Sequence, residues 1–236
     1  MSPARIALLS VVVGSCSLGC SRSSPPTPFK EESAAREARP AAVMAPPEPA
    51  PAALEKARIG AIAPDFELPD LDGKPVKLSS FRGSPVVLEW FNPGCPFVKA
   101  SHTKGSLVDA AARYAESGVV WLAINSGAPG KQGHGVEVNR AAKSSFKLDH
   151  PILLDETGRI GHAYGAAHTP HLFVIDAQGV LVYRGAIDNS PDAEGESPTG
   201  GKLVRYVDAT FDDLKAGRPV ATAETEAYGC SVKYGN

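Results

Sequence analysis

Several things are scarce in this 236-residue chain, and each scarcity excludes a class of protein. Four cysteines are too few for a disulfide framework. Lys and Arg number 24 against 26 Asp and Glu, so no field of one sign favours nucleic acid or an anionic surface. Apolar runs are short: only the N-terminus carries one, and it is below the length of a standard membrane span. Hydrophobic content of 43% with 21% charged residues argues against a disordered chain. Proline is plentiful but local, with eight of 21 falling between Ser21 and Ala57. The expectation is a targeting segment over 1–20, an extended tether over 21–57 and one folded domain over 58–236.

Arg5 precedes the apolar stretch Ile6 to Val13, and small residues with two cysteines follow, Gly14-Ser15-Cys16-Ser17-Leu18-Gly19-Cys20. This is the charged region, short apolar core and small-residue zone of a secretory signal. A cysteine just after small residues resembles the lipobox of bacterial lipoproteins. Cys20 and Cys16 are both in frame for lipidation, and Cys20 is preferred because it leaves the longer apolar core. A plain secretory signal is the alternative. Either way the folded part is expected outside the cytoplasm, in the periplasmic space, where a disulfide can persist. Residues 21–57, rich in Pro, Ala and Glu, lack the large apolar side chains needed to offset ordering entropy. They predict a tether that reaches on the order of 100 Å if mostly polyproline-like.

The remainder reads as alternating elements. A hairpin is expected across Ala63 to Leu78, with Asp72-Gly73 at its turn. Val86 to Phe91 is apolar apart from Glu89, the pattern of a strand covered on both faces. A single helix is expected from Pro96 to Ser117, then a strand over 119–125, a weaker helix over 136–146, a strand over 151–154 and a short helix over 158–164. Two strands, 171–176 and 180–187, are close enough to be antiparallel neighbours, and an amphipathic helix spans 203–215. The order implies an α/β fold: a mixed central sheet flanked by helices, with an N-terminal hairpin extension.

The chemistry-bearing segment is Asn92-Pro93-Gly94-Cys95-Pro96-Phe97-Val98-Lys99. Cys95 lies just past a buried strand, and Pro96 suits the first position of a helix. Unpaired amides and the positive end of the helix dipole would favour thiolate over thiol there, and thiolate is the nucleophile. An inert buried cysteine is the bland alternative.

With "HTPHLFVID", "VYRGAID" and the tail "AYGCSVKY", that segment resembles the thioredoxin superfamily. More narrowly it resembles the peroxiredoxin-like redoxins with an NPxCPFV signature. The resemblance covers nearly all of Ile59 to Tyr234 and implies a thioredoxin-like fold. It places Cys95 where thioredoxins carry the attacking cysteine, and matches Thr169-Pro170 to the cis-proline loop beside that sulfur. It places Glu89 as a buried carboxylate beneath the site; burial among apolar neighbours would raise its pKa and suit it to moving protons, and a salt bridge at a sheet edge is the alternative. Two departures stand out. Val98 occupies the place of the second thioredoxin cysteine, which is also where peroxiredoxins keep their peroxidatic one. Those enzymes carry Thr or Ser three residues before that cysteine, and Asn92 occupies the corresponding slot before Cys95.

Cys230 is then a candidate resolving thiol, if the tail folds back to within about 7 Å between Cα atoms. Otherwise Cys95 works as a monothiol, or Cys230 is structural. The expected partners are protein or small-molecule thiols and disulfides, with no nucleic acid and no membrane contact beyond a lipid anchor. No cofactor is expected. Among six histidines, His168 stands out because the cis-proline loop would bring it near Cys95, and a copper carrier using Cys95 and His168 is a further alternative. No HxxxH or CxxC spacing, and no CxxxC spacing around Cys95, supports it. Gly127 to Gly133 fails the phosphate-loop spacing and is expected to be a mobile loop, and 188–200 a solvated one. The leading expectation is a thiol–disulfide oxidoreductase; a slow thiol peroxidase and a non-catalytic binding module are the other readings.

Overall fold

The computed structural model describes residues 54–235, so the expected signal, the lipidation site and nearly all of the tether lie outside the described residues. A five-stranded sheet forms the centre, in the order β5-β4-β3-β7-β8. Its strands are β3 (Val86–Trp90), β4 (Val120–Asn125), β5 (Ile152–Leu154), β7 (His171–Ile175) and β8 (Leu181–Gly185). β3, β4 and β5 run parallel; β7 and β8 are antiparallel additions on the other side of β3. All five residues of β3 are buried, as expected for the central strand of a sheet covered on both faces. The described domain has the thioredoxin-like fold. The hairpin β1 (Glu67–Pro69) and β2 (Pro75–Lys77) forms as expected, with Gly73 at φ +76° in its turn.

Alternation along the strands sorts the core. Leu88, Trp90, Leu122, Ile124 and Phe173 pack on one face with Phe66, Ile160 and Tyr164, the last two from α4 (Arg159–Tyr164). Val87, Trp121, Val174 and Tyr183 face the other way, against Val207 and Phe211 of α5 (Tyr206–Lys215). A third cluster joins Phe91, Ala123 and Ile152 to Cys95, to Val98 of α1 (Pro96–Thr103) and to Ala142 of α3 (Val136–Ser145). Among the described residues no helix is long and apolar enough to cross a membrane.

Four expectations need correction. The helix expected over 96–117 is two helices, α1 and α2 (Ala110–Ala115), separated by a turn in which Asp109 has φ +52°. The cause is tertiary. The carbonyl of Ala193 approaches so closely that a Cβ on Gly105 would lie 2.0 Å from its oxygen, and Ser106 donates a short hydrogen bond to Asp188. The segment 188–200 is correspondingly not a solvated loop: Asp188, Ser190 and Ala193 are buried as it docks into the break. The third correction concerns the start of the domain, which packs from Leu54 rather than Arg58. Ala57 is buried, and its amide donates to the Ala163 carbonyl at 2.9 Å. Finally, two short strands were not foreseen, β6 (His168–Thr169) and β9 (Cys230–Ser231), which pair antiparallel with each other.

Candidate active site

Cys95 is the N-cap of α1, in extended conformation, with Pro96 at the first helical position. The loop before it is braced locally. The Asn92 side-chain oxygen accepts from the Gly94 amide at 2.9 Å, and the Cys95 amide donates to the Asn92 carbonyl at 3.0 Å. A second brace comes from Gly127 to Gly133, which is not a free loop. Gln132 donates from its side chain to the Gly94 carbonyl at 3.1 Å, and Gly133 lies so close that a Cβ there would fall 2.2 Å from the Asn92 side-chain oxygen. Sequence reasoning missed this role. The available signal was topological: loops that follow adjacent parallel strands share one rim of the sheet.

The Cys95 sulfur makes no capping bond to the first-turn amides. It lies 3.0 Å from the Thr169 carbonyl oxygen and 2.7 Å from the Cys230 sulfur. Both cysteines are free, Cys95 fully buried and Cys230 partly exposed. The peptide bond Thr169-Pro170 is cis, as the resemblance implied. The tail folds back: Thr169 pairs with Cys230 and His168 with Ser231 across the β6–β9 ribbon. That pairing needs Gly229, which has φ +112° and whose Cβ would sit 2.4 Å from the Thr169 carbonyl oxygen. Burial, with the neighbouring Cys95, pushes the Cys230 thiol up to about 11. Val98, one turn into α1, is buried apolar packing, so no second thiol is available inside the helix.

Glu89 behaves differently from expectation. It is fully buried, but one carboxylate oxygen lies 2.7 Å from His102 Nε2, and the other accepts from Trp121 Nε1 at 3.0 Å. Burial alone would raise its pKa; the charge and hydrogen bond of His102, with His150 and Trp121, outweigh that and hold it below the usual value. His102 lies seven residues beyond Cys95, about 10 Å along the helix axis. Glu89 thus ties α1 to the sheet, and neither oxygen is bonded to the sulfur. Among the described residues, no group of three or more His, Cys, Asp or Glu is placed to hold a metal ion.

The residues 58–200 match the model of the Redoxin family. The chain belongs to that family. A curated relative, the thiol-disulfide oxidoreductase ResA of Geobacillus thermodenitrificans, is 33% identical over 122 residues, 51% of this chain and 65% of that protein. Chloroplastic peroxiredoxin Q of Suaeda salsa is 31% identical over 145 residues, 55% of this chain and 61% of that one. The redoxin thus matches just under two thirds of the length of each. Among solved structures, an uncharacterized conserved protein from Geobacillus kaustophilus superposes with a TM-score of 0.64 at 31% identity. It covers 77% of this chain and 95% of its own.

Proposed function

We propose that this redoxin is a thiol–disulfide oxidoreductase with Cys95 as the attacking sulfur and Cys230 as the resolving one. The observation that carries the reading is the 2.7 Å approach of the two sulfurs beside the cis Thr169-Pro170 bond. The similarity to ResA, a thiol-disulfide oxidoreductase by name, supports the same reaction class. In the first step the Cys95 thiolate attacks one sulfur of a substrate disulfide. A new bond to Cys95 forms, the old S–S bond breaks, and the second substrate sulfur leaves as a thiolate. In the second step Cys230 gives its proton to solvent or to the departing thiolate and attacks Cys95. The first substrate thiol is released, and an internal disulfide remains. The substrate gains two electrons and the protein dithiol loses two; an external thiol resets the pair, and the whole cycle also runs in reverse.

Thr169 and Pro170 present backbone beside Cys95, while Glu89 serves α1 rather than the proton of Cys95. A periplasmic location, tethered by a lipid on Cys20 or Cys16 through residues 21–57, fits the N-terminal sequence and is a compartment in which disulfides persist.

The test is mixed-disulfide trapping with oxidised glutathione. Cys230→Ser is expected to accumulate glutathione on Cys95, wild type to resolve it into a Cys95–Cys230 bond, and Cys95→Ser to do neither. Equal glutathione adduct on wild type and Cys230→Ser would refute the resolving role, and none on any variant would refute the activity. The similarity to peroxiredoxin Q supports a second reading, in which Cys95 reduces peroxides. Oxidation of Cys95 by hydrogen peroxide no faster than free cysteine would remove it.

A further inference from the structure

The tail that carries Cys230 is fastened on both sides of the cysteine. Upstream, the Tyr228 hydroxyl donates to Asp188 at 2.8 Å. Downstream, the fastening is more elaborate. The ring of Tyr234 stacks on His162 with centroids 4.0 Å apart, and its hydroxyl donates to the Ala166 carbonyl at 2.7 Å. The ring lies in a niche that two glycines leave open. A Cβ on Gly158 would fall 2.6 Å from Tyr234 Cδ1, and one on Gly161 would fall 2.3 Å from the hydroxyl. Between this ring and Cys230 the backbone is also held: the Val232 amide donates to Ala167, and the Ala128 amide to the Lys233 carbonyl. Burial keeps the phenol of Tyr234 above its usual pKa, so it remains a donor across the neutral range.

We propose that Tyr234, seated against Gly158 and Gly161, is a positioning residue that latches Cys230 over Cys95 and so sets how stable their bond is. The inference rests on the dithiol reading above. The physical reason is effective concentration. A covalent bond confines the tail whether or not the latch exists. In the reduced protein only the fastenings confine it. Removing the latch therefore frees the reduced tail and leaves the oxidised one nearly as it was, which shifts the equilibrium towards dithiol. The latch also keeps Cys95 covered, so a substrate reaches the sulfur when the tail lifts.

The experiment equilibrates the full chain with graded glutathione buffers and quantifies the Cys95–Cys230 bond by mass spectrometry after acid quenching. Tyr234→Ala is expected to lower the equilibrium constant for bond formation at least tenfold, which is about 30 mV for a two-electron couple. Gly161→Ala, which fills the niche without altering the tail, is expected to do the same, and Tyr234→Phe to fall between. If both Tyr234→Ala and Gly161→Ala stay within twofold of wild type, the latch is refuted and the dithiol reading stands. A lowered thermal midpoint at unchanged potential also refutes it, because that would mark a merely structural ring. Failure of wild type to form the bond at any glutathione ratio would instead sink the dithiol reading, and the latch with it.

Discussion

Oxidising this redoxin is expected to stabilise the whole domain, because a Cys95–Cys230 bond closes a loop of 135 residues, most of the described domain. In the chain-entropy treatment a loop of that length removes about 17 cal/mol/K from the unfolded ensemble, or about 5 kcal/mol at 25 °C. The native state gives little of this back, since the tail is already seated: Thr169 pairs with Cys230, and the sulfurs are 2.7 Å apart before any bond forms. For a domain of this size the stabilisation corresponds to a rise of about 10–20 °C in the thermal midpoint. Differential scanning calorimetry on matched oxidised and reduced samples measures it, with thiol counts taken before and after. Cys230→Ser supplies the control and should melt at one temperature in both conditions. A midpoint that stays put or falls on oxidation, in a sample shown by peptide mapping to carry the bond, would refute the reasoning. It would mean that closing the loop distorts the native site by as much as it constrains the unfolded chain.

Three further outcomes follow from the same geometry. Gly229→Ala puts a Cβ against the Thr169 carbonyl at a positive φ, so it should lift β9, expose Cys95 to thiol reagents and slow closure of the internal bond tenfold or more; unchanged alkylation kinetics would contradict this. His150 is buried with both ring nitrogens unpartnered, and burial pushes it down to about 4. Folding therefore excludes its proton, and the stability it contributes is present above pH 6.5 and lost as pH falls towards 4, on the order of 3 kcal/mol. His150→Leu should flatten that part of the stability–pH curve, read by urea unfolding at stepped pH. Glu89→Gln removes a charged acceptor shared by His102 and Trp121 and should cost about 1.5–3 kcal/mol in the same assay; a shift in the pH profile of Cys95 alkylation would return Glu89 to a proton-transfer role.

Whatever depends on near neighbours was legible in the sequence of this protein. The burial of β3 could be read from five apolar-dominated residues, since a strand covered on both faces has no polar side to alternate with. Cys95 at a helix start followed from the proline beside it, and the hairpin turn from Asp72-Gly73. Contacts between distant segments were decided by the tertiary structure. Glu89 was visibly a carboxylate among apolar residues, but only the packing of α1 and β4 around it shows that His102 and Trp121 take both its oxygens and lower its pKa instead of letting burial raise it. The helix over 96–117 breaks because another loop inserts at Gly105, and helical spacing carries no trace of an intruder, Ala193, from 88 residues away. Two cysteines 135 positions apart meet because a cis-proline loop offers a backbone edge and a glycine lets the tail approach it. Residue type and spacing set local backbone preference and reactivity, whereas the distance between two side chains far apart in the chain is a property of how the chain packs.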